Sequence, residues 1–275
     1  MIDFLQQYIS SEPTSENKIN RLREALQLLC LKILQDKNYF SHLAFVGGTA
    51  LRVLYNLRRF SEDLDFSVID QRRYSFPEVV SALKREFGLY GLDLEAKTKA
   101  EKTVQNCMLK FPGLLKKSML SNLPGQKLSI KVEVDSHPPS GWRFENTLVN
   151  NIYLLNITHF DLPSLYASKI HACFFRRYAK GRDFYDLVWY LGRKIEPNYT
   201  LLNNAIKQTE GKDLGLNNKN IAGFLLKRTA KIDFKAIKKD VERFLEDKNE
   251  LMLLDASLIS KSIIEIFSDR SKYLE

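Results

Sequence analysis

Phe45-Val-Gly-Gly-Thr-Ala-Leu51, followed shortly by Arg59-Phe-Ser-Glu-Asp-Leu-Asp-Phe66, is the stretch on which the fold turns. His42-Leu-Ala-Phe-Val46 is a short apolar run ended by Gly47-Gly48, which predicts a buried strand entering a tight turn. After the glycines, Thr49 reads as the cap of a helix running to about Leu57, with Leu51, Leu54 and Tyr55 on its inner face. Asp63-Leu-Asp-Phe-Ser-Val68 then alternates polar with apolar residues, the period of a strand with one wet face.

Outward from this unit, Glu16 to Gln35 places Ile19, Leu22, Leu26, Leu29 and Ile33 at helical spacing, and Pro77 to Phe87 does so with Val80, Leu83 and Phe87. Leu92 to Lys97, Thr103 to Phe111 and Lys127 to Asp135 read as strands, separated by turn-rich pieces holding Pro112-Gly113 and Pro124-Gly125. Ile152 to Ile157 reads as a last short strand. From Pro163 the pattern turns helical: to about Arg177, then Arg182 to Leu191, Thr200 to Lys207, Ile221 to Lys231, Phe234 to Asp247 and Ser257 to Phe267. The expected architecture is an α/β (α+β) lobe on a mixed sheet over residues 1–160, followed by an all-helical lobe over 161–275.

Composition agrees with a two-lobed globular chain: 275 residues, 44% hydrophobic and 27% charged, exclude fibrous and disordered classes. Forty-two Lys and Arg against 33 Asp and Glu leave +9, a balance that favours a polyanionic partner. The excess concentrates in two places: Lys169 to Lys194, with seven basic and two acidic residues, and Lys227 to Lys239, with six and one. Cys30, Cys107 and Cys173 are far apart and match neither a disulfide framework nor a zinc site. No basic leader with an apolar core opens the chain, and no stretch approaches the ~18 apolar residues of a membrane span, so a cytoplasmic protein without a membrane role is expected.

Asp63 and Asp65 lie two apart on a strand, so both carboxylates face one side and can hold a divalent cation between them. Gly47 and Gly48 at a strand-to-helix turn let a triphosphate approach the backbone N–H groups and the positive helix end. In Lys131-Val-Glu-Val-Asp135, Glu133 shares the wet face with Lys131 and Asp135. Three carboxylates from two strands beside a phosphate-holding turn are what metal-assisted phosphoryl or nucleotidyl transfer needs. The same residues also fit an ordinary turn and a half-exposed edge strand laced with ion pairs. Arg59 and Ser61 suit either a phosphate or the pinning of their loop. Lys169 falls on one helical stripe with Leu165 and Ala172, either snorkelling or aimed at an anion. Asp183 and Asp186 sit side by side at a helix start, where capping competes with catalysis. The histidines His42, His137, His159 and His171 show no metal-ligand spacing and read as structural. The aromatics Phe174 to Tyr190, interleaved with Arg176, Arg177, Lys180 and Arg182, suit base stacking but fit a helix core better.

Gly47-Gly-Thr-Ala-Leu51 with Arg59-x-Ser61-x-Asp63-Leu-Asp65-Phe66 resembles the first motif of polymerase-β-like nucleotidyltransferases, specifically the AbiEii/AbiGii toxin branch. Lys131-Val-Glu133-Val is similar to that branch's second motif, Leu165-Tyr-Ala-Ser-Lys169-Ile-His-Ala172 to its third, and Arg182-Asp183-Phe-Tyr-Asp186-Leu187 to its fourth. The resemblance implies Asp63, Asp65 and Glu133 as ligands of Mg²⁺ (or Mn²⁺), with Asp135 the alternative third ligand. It implies Lys169 as the contact to the nucleotide phosphates, with Arg182, Asp183 and Asp186 shaping the pocket. Gly47, Gly48, Thr49, Arg59, Ser61 and Lys131 complete the expected nucleotide-binding set. The implied activity is NMP transfer from an NTP, with pyrophosphate release, onto an RNA acceptor such as the 3′ end of tRNA, in a toxin–antitoxin or abortive-infection system with a cognate antitoxin. A protein phosphotransferase using the same site, or an inactive RNA- or partner-binding module, are the alternatives.

Overall fold

The computed structural model describes residues 1–99, 103–123 and 125–268, in two compact units: 1–138 with 144–159, and 139–143 with the chain from Phe160 onward. Of the turn expected at Pro124-Gly125, Pro124 lies outside the described residues.

The first unit opens with α1 (Ile2–Ile9) and α2 (Ser15–Asp36), then β1 (Leu43–Val46), α3 (Gly47–Tyr55), β2 (Asp63–Val68) and α4 (Phe76–Leu89). β3 (Glu95–Lys99), β4 (Val104–Phe111), the single turn α5 (Leu114–Lys117), β5 (Leu128–Asp135), β6 (Phe144–Asn150) and β7 (Leu154–Phe160) follow. The strands form one seven-stranded mixed sheet in the order β3-β4-β5-β2-β1-β7-β6. β2 runs antiparallel to β1 and parallel to β5, so the strand that carries both motif aspartates sits in the middle of the sheet.

β5 shows why: Leu128, Ile130, Val132 and Val134 are buried on one face, while Ser129, Lys131, Glu133 and Asp135 alternate on the other. α2 packs on β5 and is flanked by α1 and α4. The sequence predicts a single apolar stripe on α2, but Leu28, Cys30 and Leu31 are buried as fully as Leu22, Leu26 and Leu29, which makes it a central helix covered on more than one side. Thr14 caps it, its hydroxyl accepting from the Asn17 amide at 3.1 Å.

The second unit is helical: α6 (Leu162–Phe175), α7 (Gly181–Gly192), α8 (Tyr199–Glu210), α9 (Ile221–Thr229), α10 (Phe234–Val241) and α11 (Ala256–Ser268). Asp161 caps α6 by accepting from the Ser164 amide at 2.9 Å, with Pro163 in the first turn, where its missing N–H costs nothing. Stacked Tyr166 and Tyr190, with ring centroids 4.3 Å apart, lock α6 to α7. No helix among the described residues is long and apolar enough to cross a membrane.

Candidate functional site

The α3 helix begins at Gly47, earlier than the sequence suggests, and Thr49 lies in its first turn rather than at its cap. Instead of capping, the Thr49 hydroxyl donates to the Asp63 carbonyl and ties α3 to the start of β2. Gly47 needs to be a glycine; Gly48 leaves little room for a side chain. Gly47 has φ +81°, and a Cβ there would overlap the Asp65 carboxylate; a Cβ on Gly48 would overlap the Arg59 guanidinium. Arg59 is 2% exposed and donates to the Phe60 carbonyl at 3.0 Å, so its guanidinium is built into the wall behind the turn.

Across the parallel β2–β5 pair, Asp63 is opposite Lys131, Asp65 opposite Glu133, and Ser67 opposite Asp135. Paired residues share a face, so Asp63, Asp65 and Glu133 stand on the half-exposed side of the sheet, with Asn106 of β4 beside Glu133. Asp135 belongs one pair further along. Its Oδ1 accepts from the His137 amide at 3.0 Å, and burial pushes its carboxyl above the usual range. Lys131 Nζ lies 2.7 Å from Glu133 Oε1 and supplies counter-charge to a face that is otherwise acidic.

Oxygen-only donors suit a hard cation such as Mg²⁺ or Mn²⁺. Among the described residues, however, no three His, Cys, Asp or Glu side chains converge, as they stand, into a set able to hold a metal. Glu133 is turned to Lys131 at 2.7 Å, although the strand register sets it beside Asp65.

Sequence reasoning missed the element that holds this face in place. Gln27 of α2 is 1% exposed, and its amide donates to the Ser61 carbonyl at 3.1 Å and the Asp63 carbonyl at 3.5 Å. A polar residue inside an otherwise apolar helix run, Leu26-Gln27-Leu28, was the available signal. Glu24, one turn earlier, pairs with Arg52 of α3, whose Nη1 donates to the Leu57 carbonyl at 3.1 Å. The Ser61 carbonyl thus accepts from Gln27, which pins the loop that carries Arg59 and Ser61.

In the helical unit, Lys169 is 8% exposed, with Nζ 2.7 Å from Asp183 Oδ1 and 2.8 Å from Asp186 Oδ2. Arg176, also missed from sequence, reaches the other Asp183 oxygen at 2.8 Å, so Lys169 and Arg176 share the buried Asp183 carboxylate. Asp183 and Asp186 therefore ion-pair rather than cap α7. Gly181 opens that helix, its N–H donating to Asp240 Oδ2 at 2.7 Å, and a Cβ there would strike the Ile237 carbonyl of α10. The Arg182 guanidinium covers the Phe244 ring at 4.4 Å. Beside the triad, burial and the Asp183 charge push the Cys173 thiol well up, which makes it unreactive.

Over residues 29–258 the sequence matches the family model described as nucleotidyl transferase AbiEii toxin of type IV toxin–antitoxin systems. No curated protein matches it in sequence. Among solved structures, a candidate nucleotidyltransferase from H. pylori is similar at TM-score 0.53 and 19% identity, over 92% of this chain and 96% of that one. JHP933 from Helicobacter pylori is similar at TM-score 0.51 and 17% identity, over 92% and 97%. At those identities the structural likeness speaks for the fold alone.

Proposed function

Because the chain belongs to the AbiEii nucleotidyl transferase toxin family of type IV toxin–antitoxin systems, we propose that it transfers a nucleoside monophosphate from an NTP to an RNA acceptor, the 3′ end of a tRNA. The acceptor hydroxyl oxygen attacks the α-phosphorus, the bond to the β-phosphate oxygen breaks, and pyrophosphate leaves. That makes the protein a nucleotidyltransferase rather than a phosphotransferase. The observation that carries this reading is the register that sets Asp65 beside Glu133 and Asp63 beside Lys131, with the Gly47 backbone against the Asp65 carboxylate.

Asp63, Asp65 and Glu133 are the residues to hold Mg²⁺ or Mn²⁺; Glu133 is preferred over Asp135 because it is the direct neighbour of Asp65. A bound cation supplies the charge that lowers the pKa of the attacking hydroxyl and stabilises the leaving pyrophosphate. The chain's own groups do the rest. Backbone N–H groups at the start of α3 bind phosphate oxygens at the helix end where the dipole favours anions. Arg59 holds that turn from behind, and Thr49 fixes β2 against it. Lys131 releases Glu133 and is then available to the triphosphate. Lys169 is assigned to phosphate charge as well, with the Asp183 and Asp186 carboxylates favouring its ammonium form within the helical unit and Arg176 sharing Asp183 with it.

The test is to incubate the protein with total RNA, Mg²⁺ and each NTP labelled in turn at the α- or γ-phosphate. The expected result is RNA that retains α label and no γ label. Label delivered from the γ position, or found on protein, overturns the reading.

A further inference from the structure

The two basic stretches, separate in the sequence, meet in the helical unit. Arg228 of α9 lies over the Phe175 ring at 4.9 Å and donates to the Phe174 carbonyl at 3.5 Å, while Asp240 of α10 receives the Gly181 amide. Arg228, inside the second basic stretch, thereby packs at the start of the α6–α7 loop, and Asp240, just after that stretch, at its end. Most aromatics near that loop are core, Phe174, Phe184 and Tyr190 among them, but Tyr178 is 70% exposed with the Arg177 guanidinium 5.3 Å from its ring centroid. Arg176 is engaged by Asp183 and Arg182 by Phe244. By contrast Arg177, Lys180, Lys227 and Lys231 are exposed and make no ion pair among the described residues.

An exposed aromatic ring amid unpaired cations matches a single-stranded nucleic acid: ring faces stack bases, and the cations follow the phosphates. An acidic protein segment would use the lysines and leave the ring unused. We propose that Tyr178, with Arg177 on its ring, stacks an unpaired base at the single-stranded end of the RNA acceptor, and that Lys180, Lys227 and Lys231 hold the flanking phosphates. This rests on the reading that the acceptor is RNA, and it assigns that acceptor a place.

The test uses the full chain and a fluorescent single-stranded oligoribonucleotide, followed by anisotropy over a salt series. Tyr178→Ala is expected to raise Kd about tenfold, and Tyr178→Trp to keep it. Lys227→Gln and Lys231→Gln are each expected to reduce the log Kd against log salt slope by about 0.7. Because these side chains are exposed, unchanged thermal unfolding confirms that the fold is intact. Wild-type affinity in Tyr178→Ala, or a preference of the wild type for an acidic peptide over the oligonucleotide, overturns the proposal. If Tyr178→Ala loses RNA binding but the wild type fails to place α label on RNA, the stacking site stands as an RNA-binding site, while the transfer reading and the acceptor's place with it fall. If the wild type labels RNA and Tyr178→Ala labels it with unchanged KM for RNA, the transfer reading stands and the stacking site falls.

Discussion

Asp65 lies opposite Glu133 in the parallel pairing of β2 with β5, and Glu133 leans instead on Lys131, two residues before it, at 2.7 Å. Like charges on adjacent strands repel, and Lys131 screens them. On the proposed reading, such a face serves binding rather than stability. Asp65→Asn is therefore expected to cut NMP incorporation by about a hundredfold or more while thermal stability holds or rises slightly. Parallel loss of activity and stability, read by label incorporation and calorimetry, would reduce Asp65 to a structural residue.

Gly47→Ala places a Cβ on the Asp65 carboxylate at a backbone φ of +81°, so both strain and overlap count against it. The expected cost is about 1–3 kcal/mol, with loss of transfer activity. Gly223 is the internal contrast: it lies inside α9, and a Cβ there meets nothing within 4 Å. Gly223→Ala should stabilise the protein by about 0.4–1 kcal/mol. Chemical denaturation of both variants checks the pair; a destabilised Gly223→Ala would refute the helix assignment.

The legible parts of this chain were those where periodicity and burial coincide. β5 announces both faces through strict alternation, and α6 announces its start through Asp161 and Pro163. β6 was missed because five of its seven residues are exposed at the sheet's edge, so no apolar face marks it. α1 was missed because it is a short opening helix that buries only Leu5 and Ile9. Of the site, the carboxylates and glycines could be read because their spacing is local. Gln27 and Arg176 could not, since each acts on a partner brought to it by packing of separate elements.

Removing Lys169 takes a cation from between two buried carboxylates one turn apart, Asp183 at 2.7 Å and Asp186 at 2.8 Å. Lys169→Met is expected to destabilise by about 3–5 kcal/mol at neutral pH. In that variant the carboxyl pKa values rise, so stability is greatest in acid and falls as pH increases through the raised values. Asp186→Asn added to Lys169→Met should recover part of the loss. Unfolding curves at pH 5 and 8 decide it: an equal deficit at both would show that the triad is not electrostatically coupled.

His42 is 8% exposed, its Nδ1 lies 3.1 Å from the Ser41 hydroxyl, and its buried Nε2 has no hydrogen-bond partner among the described residues. Burial, the largest influence, lowers its pKa, opposed by Asp70. A depressed histidine contributes stability that is present above its unfolded pKa and lost as pH falls through the folded value. His42→Phe should match the wild type at pH 8 and lose less stability on acidification below about pH 6.5. Identical acid titrations of the two proteins would rule out the assignment.

Gln27 separates positioning from mere packing beside Asp63. Its amide faces two carbonyl oxygens, those of Ser61 and Asp63, while its own buried Oε1 has no hydrogen-bond partner among the described residues. Gln27→Leu keeps much of the volume but leaves the Ser61 carbonyl without this donor, at about 1–2 kcal/mol after the unpaired Oε1 is removed as well. Gln27→Glu keeps the shape and inverts the electrostatics, because an ionised carboxylate would face two carbonyls. Only the protonated form can still donate, so its pKa must rise, and stability is retained in acid and lost as pH rises through that value. Unfolding midpoints from pH 4 to 8 should therefore show Gln27→Leu running parallel to the wild type and Gln27→Glu diverging downward. Thr49 still holds the Asp63 carbonyl in both variants, so β2 should shift rather than detach, and kcat should fall more than the KM for NTP changes. A Gln27→Glu protein as stable as the wild type at pH 8 would show that the amide does not hold the Asp63 strand.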